Sequence, residues 1–120
     1  MATPAASFNV LVPRGSRIAN FLDLIYLLDK NCETQKAVGQ VVDFVDGLLN
    51  EGEFEECSDV LNQVDVARLS PPIVISILGI TRGARPSLRP ARDAFFARAE
   101  SELEAKLGTE RAAGLLNKYI

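Results

Sequence analysis

The sequence predicts an all-α fold, a compact bundle of about five to six short helices that includes antiparallel helical hairpins and carries an extended N-terminal arm. Three observations carry that expectation. Apolar residues recur at spacings of three and four over most of the chain, which gathers them on one face of a helix. The sustained apolar–polar alternation of a half-buried strand is missing. Glycine and proline fall mainly between the apolar stripes, where they punctuate rather than interrupt.

Residues 1–16 stand apart from the rest. Leu11 to Ser16 spell LVPRGS, which resembles a thrombin-cleavage linker. As native chain or as a linker remnant, a segment with Pro4, Pro13 and Gly15 reads as an extended arm. Residues 17–120 are expected to form a single helical domain.

The first helix is expected over residues 17–29, where Ile18, Phe21, Leu22, Ile25 and Leu28 form a stripe. Asn31 and Thr34 are candidate caps for a second helix, which carries Ala37, Val38, Val41, Val42, Val45, Leu48 and Leu49 and runs to about Asn50. Val41, Val42, Phe44 and Val45 also suit a strand, but they do not alternate and the apolar window is too long for one. Gly52 can take the left-handed conformation that ends a helix, and Phe54, Cys57, Val60, Leu61 and Val64 begin the next stripe. The short link makes an antiparallel hairpin. Over residues 34–64 this hairpin resembles those of tetratricopeptide-type arrays, although no second copy follows at a fixed period.

Ser70-Pro71 marks another helix start, since serine offers a capping oxygen and proline at the first helical position gives up no needed hydrogen bond. Residues 71–81 are apolar almost all round, which predicts the buried centre of the bundle. Gly83, Pro86 and Pro90 place a loop or irregular turn at 82–89. From Pro90, the stripe Ala94, Phe95, Ala99, Leu103 and Leu107 runs to Gly108, and Thr109 is a candidate cap for a last short helix with Leu115, Leu116 and Tyr119.

Composition narrows the chemistry. With no histidine, the commonest general base and metal ligand are both missing, so most hydrolytic and zinc mechanisms fall away. Cys32 and Cys57 are expected to be reduced thiols on partly buried helix faces, and Glu55 and Glu56 argue against an activated thiolate at Cys57. Pairs such as Asp43 with Asp46 and Glu100 with Glu104 read as exposed helix charge, and no phosphate-binding glycine motif occurs. The expectation is therefore a non-enzyme with no cofactor. Acidic residues interrupt the most apolar region, so no membrane span is expected, and the opening residues do not read as a secretory signal. A cytoplasmic setting follows from these readings.

Charge is the strongest functional signal. The chain carries a net charge of −3, yet residues 1–81 carry −6 and residues 82–98 carry +4, from Arg82, Arg85, Arg89, Arg92 and Arg98 against Asp93 alone. Arginine suits bidentate contact with carboxylate or phosphate. The bland reading pairs this cluster with Glu51, Glu53, Glu55, Glu56 and Asp59 of the same chain, or leaves both solvated. The functional reading makes Arg82, Arg85, Arg89, Arg92, Phe95, Phe96 and Arg98 the contact surface of a protein–protein interaction module or small regulatory subunit. Phe95 and Phe96 are about 100° apart on a helix, so either both rim a wide core or one of them sits at an interface. Two alternatives remain open. One is a self-assembling structural component, of a phage or other particle for instance, using the N-terminal arm. The other is a nucleic-acid or phosphate binder, which the overall acidity makes the weaker.

Overall fold

A computed structural model describes residues 14–83 and 85–119, and among these every regular element is helical. Helix α1 spans Arg14–Lys30. Helix α2 is one continuous rod made of Thr34–Val41, a π-helical turn Val42–Asp46 and Gly47–Asn50. Helices α3 (Phe54–Gln63), α4 (Pro71–Ile80), α5 (Arg89–Leu107) and α6 (Thr109–Leu116) follow, with short 3-10 turns at Val66–Arg68, Pro86–Leu88 and Asn117–Tyr119. The expected arm at residues 1–13 lies outside the described residues. Arg14 to Ser16, expected within it, instead form the start of α1, three residues earlier than the apolar stripe required.

Helix α1 packs on α2 and α3, α4 lies against α2 and α5, α3 lies against α5, and α6 folds back on α5. The Cα envelope is 17 Å in its shortest dimension, the depth of two helix layers whose axes sit about 8–10 Å apart. One hydrophobic core threads the layers, with Ile25, Val41, Leu61, Ile77 and Phe95 among its fully buried side chains. Helix α4 is central as expected and buries Ile73, Val74, Ile77 and Leu78, while Pro72 and Gly79 face outward.

The α1–α2 and α2–α3 links end their first helix in the same way. In each, a backbone N–H reaches five residues back: Glu33 to the Leu28 carbonyl and Glu53 to the Leu48 carbonyl, both at 2.8 Å. The residue before the donor then has positive φ, a geometry that suits glycine. Gly52 meets that requirement at φ 76°, whereas the first turn places Cys32 there at φ 63°. Cys32 is therefore an exposed turn residue and not, as expected, part of a helix face. Cys57 is buried on α3.

The expected caps work differently. Thr34 is the first residue of α2, and its hydroxyl donates to Asp29 Oδ1 at 2.9 Å instead of accepting from the helix. Ser70 stands at the N-cap of α4, but its N–H and hydroxyl also donate to Asp29, at 2.9 and 2.8 Å. Asp29 thereby ties the end of α1 to the starts of α2 and α4. Gly108, at φ 90° and ψ 155°, takes the N-cap position of α6 that was expected of Thr109, in a region open essentially to glycine. The π turn falls on the valine-rich stretch that also suited a strand. Crowding between branched side chains disfavours a regular α turn there.

Candidate functional site

The five arginines of residues 82–98 divide into two groups. Arg82 and Arg85 are exposed on the link between α4 and α5 and Arg89 is exposed at the first residue of α5, while Arg92 and Arg98 lie half-buried further along α5. The buried stripe of α5 is Ala91, Phe95, Ala99 and Leu103, at four-residue spacing. Arg92 and Arg98 each neighbour a member of that stripe, so their stems run along the core.

Both half-buried guanidiniums find backbone carbonyls. Arg98 donates to the Leu61 carbonyl, in the last turn of α3. Arg92 donates to the carbonyls of Leu78, in the last turn of α4, and of Tyr119, both at 3.3 Å. Lys106, two turns further along α5, donates to the Leu69 carbonyl at 2.7 Å. The last carbonyls of a helix lack partners within it and carry its negative dipole end, so cationic donors from α5 satisfy α3 and α4. Arg92 is incompletely satisfied, because its Nε is buried without a hydrogen-bond partner among the described residues. Burial lowers the Arg92 pKa; the neighbouring Asp93 works against that shift and Arg82 adds to it.

The acidic stretch does not receive the cluster. Among the described residues, none of the five arginines forms a salt bridge with Glu51, Glu53, Glu55, Glu56 or Asp59. Arg17 of α1 reaches that stretch, its guanidinium 2.6 Å from both carboxylate oxygens of buried Glu56.

Phe95 is completely buried, which removes it from any contact surface and corrects its place in the expected set. Its ring faces Arg98 at 5.7 Å. Phe96 is half-buried and lines a cavity of about 310 Å³ with Arg92, Asp93 and Tyr119. Arg85 stands 5.3 Å over the ring of Phe54, beside a cavity of about 290 Å³ that Asp46, Ile80 and Gly83 also line. Of the expected surface, Arg82, Arg85 and Arg89 are fully presented, and Phe96 in part.

A second surface escaped the sequence reading. Between α1 and α2 lies a groove of about 490 Å³ whose floor holds Phe21 and Phe44, stacked at 4.4 Å and 20°. Leu24 stands at its edge, 39% exposed, and Asp43 and Glu51 lie along its wall. The available signal was a surplus of apolar residues on α1, since Leu24 and Leu27 lie outside the stripe that builds the core. No group of three His, Cys, Asp or Glu side chains suited to a metal occurs among the described residues, and no helix there is long and apolar enough to cross a membrane. A scan of protein families and searches of curated proteins and of solved structures find no match to this chain.

Proposed function

We propose that this chain is a non-enzymatic protein–protein interaction module, of the kind that serves as a small regulatory or assembly subunit, and that its contact edge is Arg82, Arg85 and Arg89. The observation that carries this reading is that all three are exposed and lack a carboxylate partner among the described residues. A planar guanidinium binds carboxylates bidentately, so the edge suits an acidic protein surface. Pro86 and Pro90 are also exposed and add rigid apolar surface beside Arg85 and Arg89.

A nucleic-acid partner draws less support. Sequence-tolerant binding of single strands relies on aromatic faces free to stack with bases. Phe95 is buried, Phe96 is half-buried and Phe54 lies under Arg85.

The test is fluorescence anisotropy with two labelled probes, an Asp/Glu-rich peptide and a single-stranded RNA of similar net charge. Wild-type protein should bind the peptide, and R82E/R85E/R89E should bind it at least about tenfold more weakly, the equivalent of about 1.4 kcal/mol. RNA binding without peptide binding, or peptide binding indifferent to the triple substitution, would overturn the assignment.

A further inference from the structure

The α1–α2 groove has a chemistry of its own. Its floor is the Phe21–Phe44 pair, and Asp43 of α2 and Glu51, the residue that caps the end of α2, line it as well. These acids are eight residues apart, about 12 Å at a rise of about 1.5 Å per residue, so they form two separate anionic points. Arg17 also lines the groove, but its charge is offset by Glu56 at 2.6 Å. Asp43 and Phe44 belong to the π-helical turn of α2, a feature that concentrates at functional sites. Gly47 lies in the wall between Asp43 and Glu51, where an added Cβ would meet nothing within 4 Å. There is open space at Gly47 for a side chain, and of the two rings Phe44 is half-buried while Phe21 is buried.

We propose that this groove receives the arginine edge of a second copy of the chain, so that copies associate head to tail. The proposal rests on the reading of Arg82, Arg85 and Arg89 as a contact edge. Charge complementarity carries it, with exposed cations on the edge and acids along an apolar floor in the groove. The edge also repeats Arg-Pro, at 85–86 and at 89–90, and both prolines are exposed, which sets apolar rings beside the charges. The groove and the cavity beside Arg85 share no lining residue. Edge and groove are thus different patches, and a head-to-tail contact in which each pair of copies joins one edge to one groove builds a ring or an open chain.

Light scattering on the full chain, after size-exclusion chromatography, tests this with three variants. At about 0.1 M salt, wild-type protein should exceed the monomer mass as concentration rises, and it should return to monomer at about 1 M, where the screening length falls from about 10 to about 3 Å. D43N/E51Q disables the groove and R82Q/R85Q/R89Q disables the edge, so each should be monomeric alone. Mixed, the two variants retain one intact contact per pair and should form a one-to-one heterodimer that grows no further. Gly47→Met leaves every charge in place and raises helix propensity, yet it should abolish assembly by filling the groove. Circular dichroism of each variant checks that the fold is intact. A wild-type chain that stays monomeric, a mixture that does not combine, or assembly indifferent to Gly47→Met would each overturn the proposal. Retained binding of the acidic peptide in any of those cases leaves the edge itself standing, whereas loss of both removes the edge as well.

Discussion

Arg92 and Arg98 belong to the same run of positive charge as Arg82, Arg85 and Arg89, but the fold uses the two sets in different ways. Arg92 and Arg98, inside α5, turn inward and spend donors on helix-terminal carbonyls, while the three before and at the first residue of α5 face solvent. The difference lies in the backbone. Within α5 the buried stripe fixes where every neighbour points, whereas Arg82 and Arg85 precede the helix and Arg89 opens it, ahead of Ala91, the first residue of that stripe. A cluster of charge in sequence is thus not yet a surface, and its orientation depends on the element beneath each residue.

The sharpest way to break this division is at Phe95, which sits between the two inward arginines. A wholly buried phenylalanine replaced by alanine loses its transfer energy and leaves a cavity, so Phe95→Ala should cost about 3–5 kcal/mol in urea unfolding. Phe96→Ala, half-buried, should cost clearly less. Equal and small losses at the two positions would place Phe95 at the surface and erase the distinction.

The inward side extends to α3, on which α5 lies, and there it acquires a pH signature. Burial pushes the Cys57 thiol up to about 11 from its ordinary 9.0. A folded-state value above the unfolded one means that folding favours the protonated thiol. This contribution is fully present below about pH 9 and is lost as pH rises through about 11, a swing on the order of 2–3 kcal/mol. Stability measured across that window should fall more steeply in wild type than in Cys57→Ala. At neutral pH a thiol reagent should modify Cys32 at once and Cys57 only on unfolding. Prompt reaction of both would contradict the burial of α3.

Substitution of the capping arginines should have an intermediate effect. A hydrogen bond from a charged group contributes about 1.5–3 kcal/mol, so Arg98→Ala should destabilise by roughly that amount when it leaves the Leu61 carbonyl unsatisfied. Arg92→Ala should cost less, because both its contacts are at 3.3 Å and its removal relieves the unpaired buried Nε. A neutral result for Arg98→Ala would show that the inward arginines are solvated like the outer three.

Much of this arrangement was legible in the sequence, and the failures have physical reasons. The stripes on α1 and α3 located their helices because burial enforces a period on apolar residues, and α4 was marked by its Ser70-Pro71 start and its nearly all-apolar sequence. The α2–α3 turn was visible because a glycine occupies its left-handed position. The equivalent α1–α2 turn was not, since Cys32 holds that position without advertising it. The caps misled because Thr34 and Ser70 have two uses, and Asp29, distant in sequence from Ser70, claims both hydroxyls. Within the candidate site, Ala91, Phe95, Ala99 and Leu103 at four-residue spacing already implied that Arg92 and Arg98 flank the core. Pooling all five arginines by charge hid that pattern. The carbonyls they reach, on α3 and α4, depend on packing between elements and leave no local mark.

The smallest expected effect lies on the outer side, where a null result in one measurement must accompany a large one in another. Arg82, Arg85 and Arg89 are exposed and form no ion pair among the described residues, so alanine at each should change stability by no more than about 0.5 kcal/mol. Arg85 is the exception, at up to about 1 kcal/mol, since it also loses its position over Phe54, a cation–π contact that contributes about 0.5–1 kcal/mol at an exposed site. The same substitutions combined should weaken binding of the acidic peptide, because the charges they remove form no ion pair among the described residues. Stability and binding therefore respond to opposite members of one arginine cluster. Arg98→Ala should destabilise the protein while leaving peptide affinity intact at temperatures where it is folded, and the outer triple substitution should do the reverse. A variant set in which both quantities moved together would mean that the link and α5 act as one surface, and the division drawn from their orientation would fail.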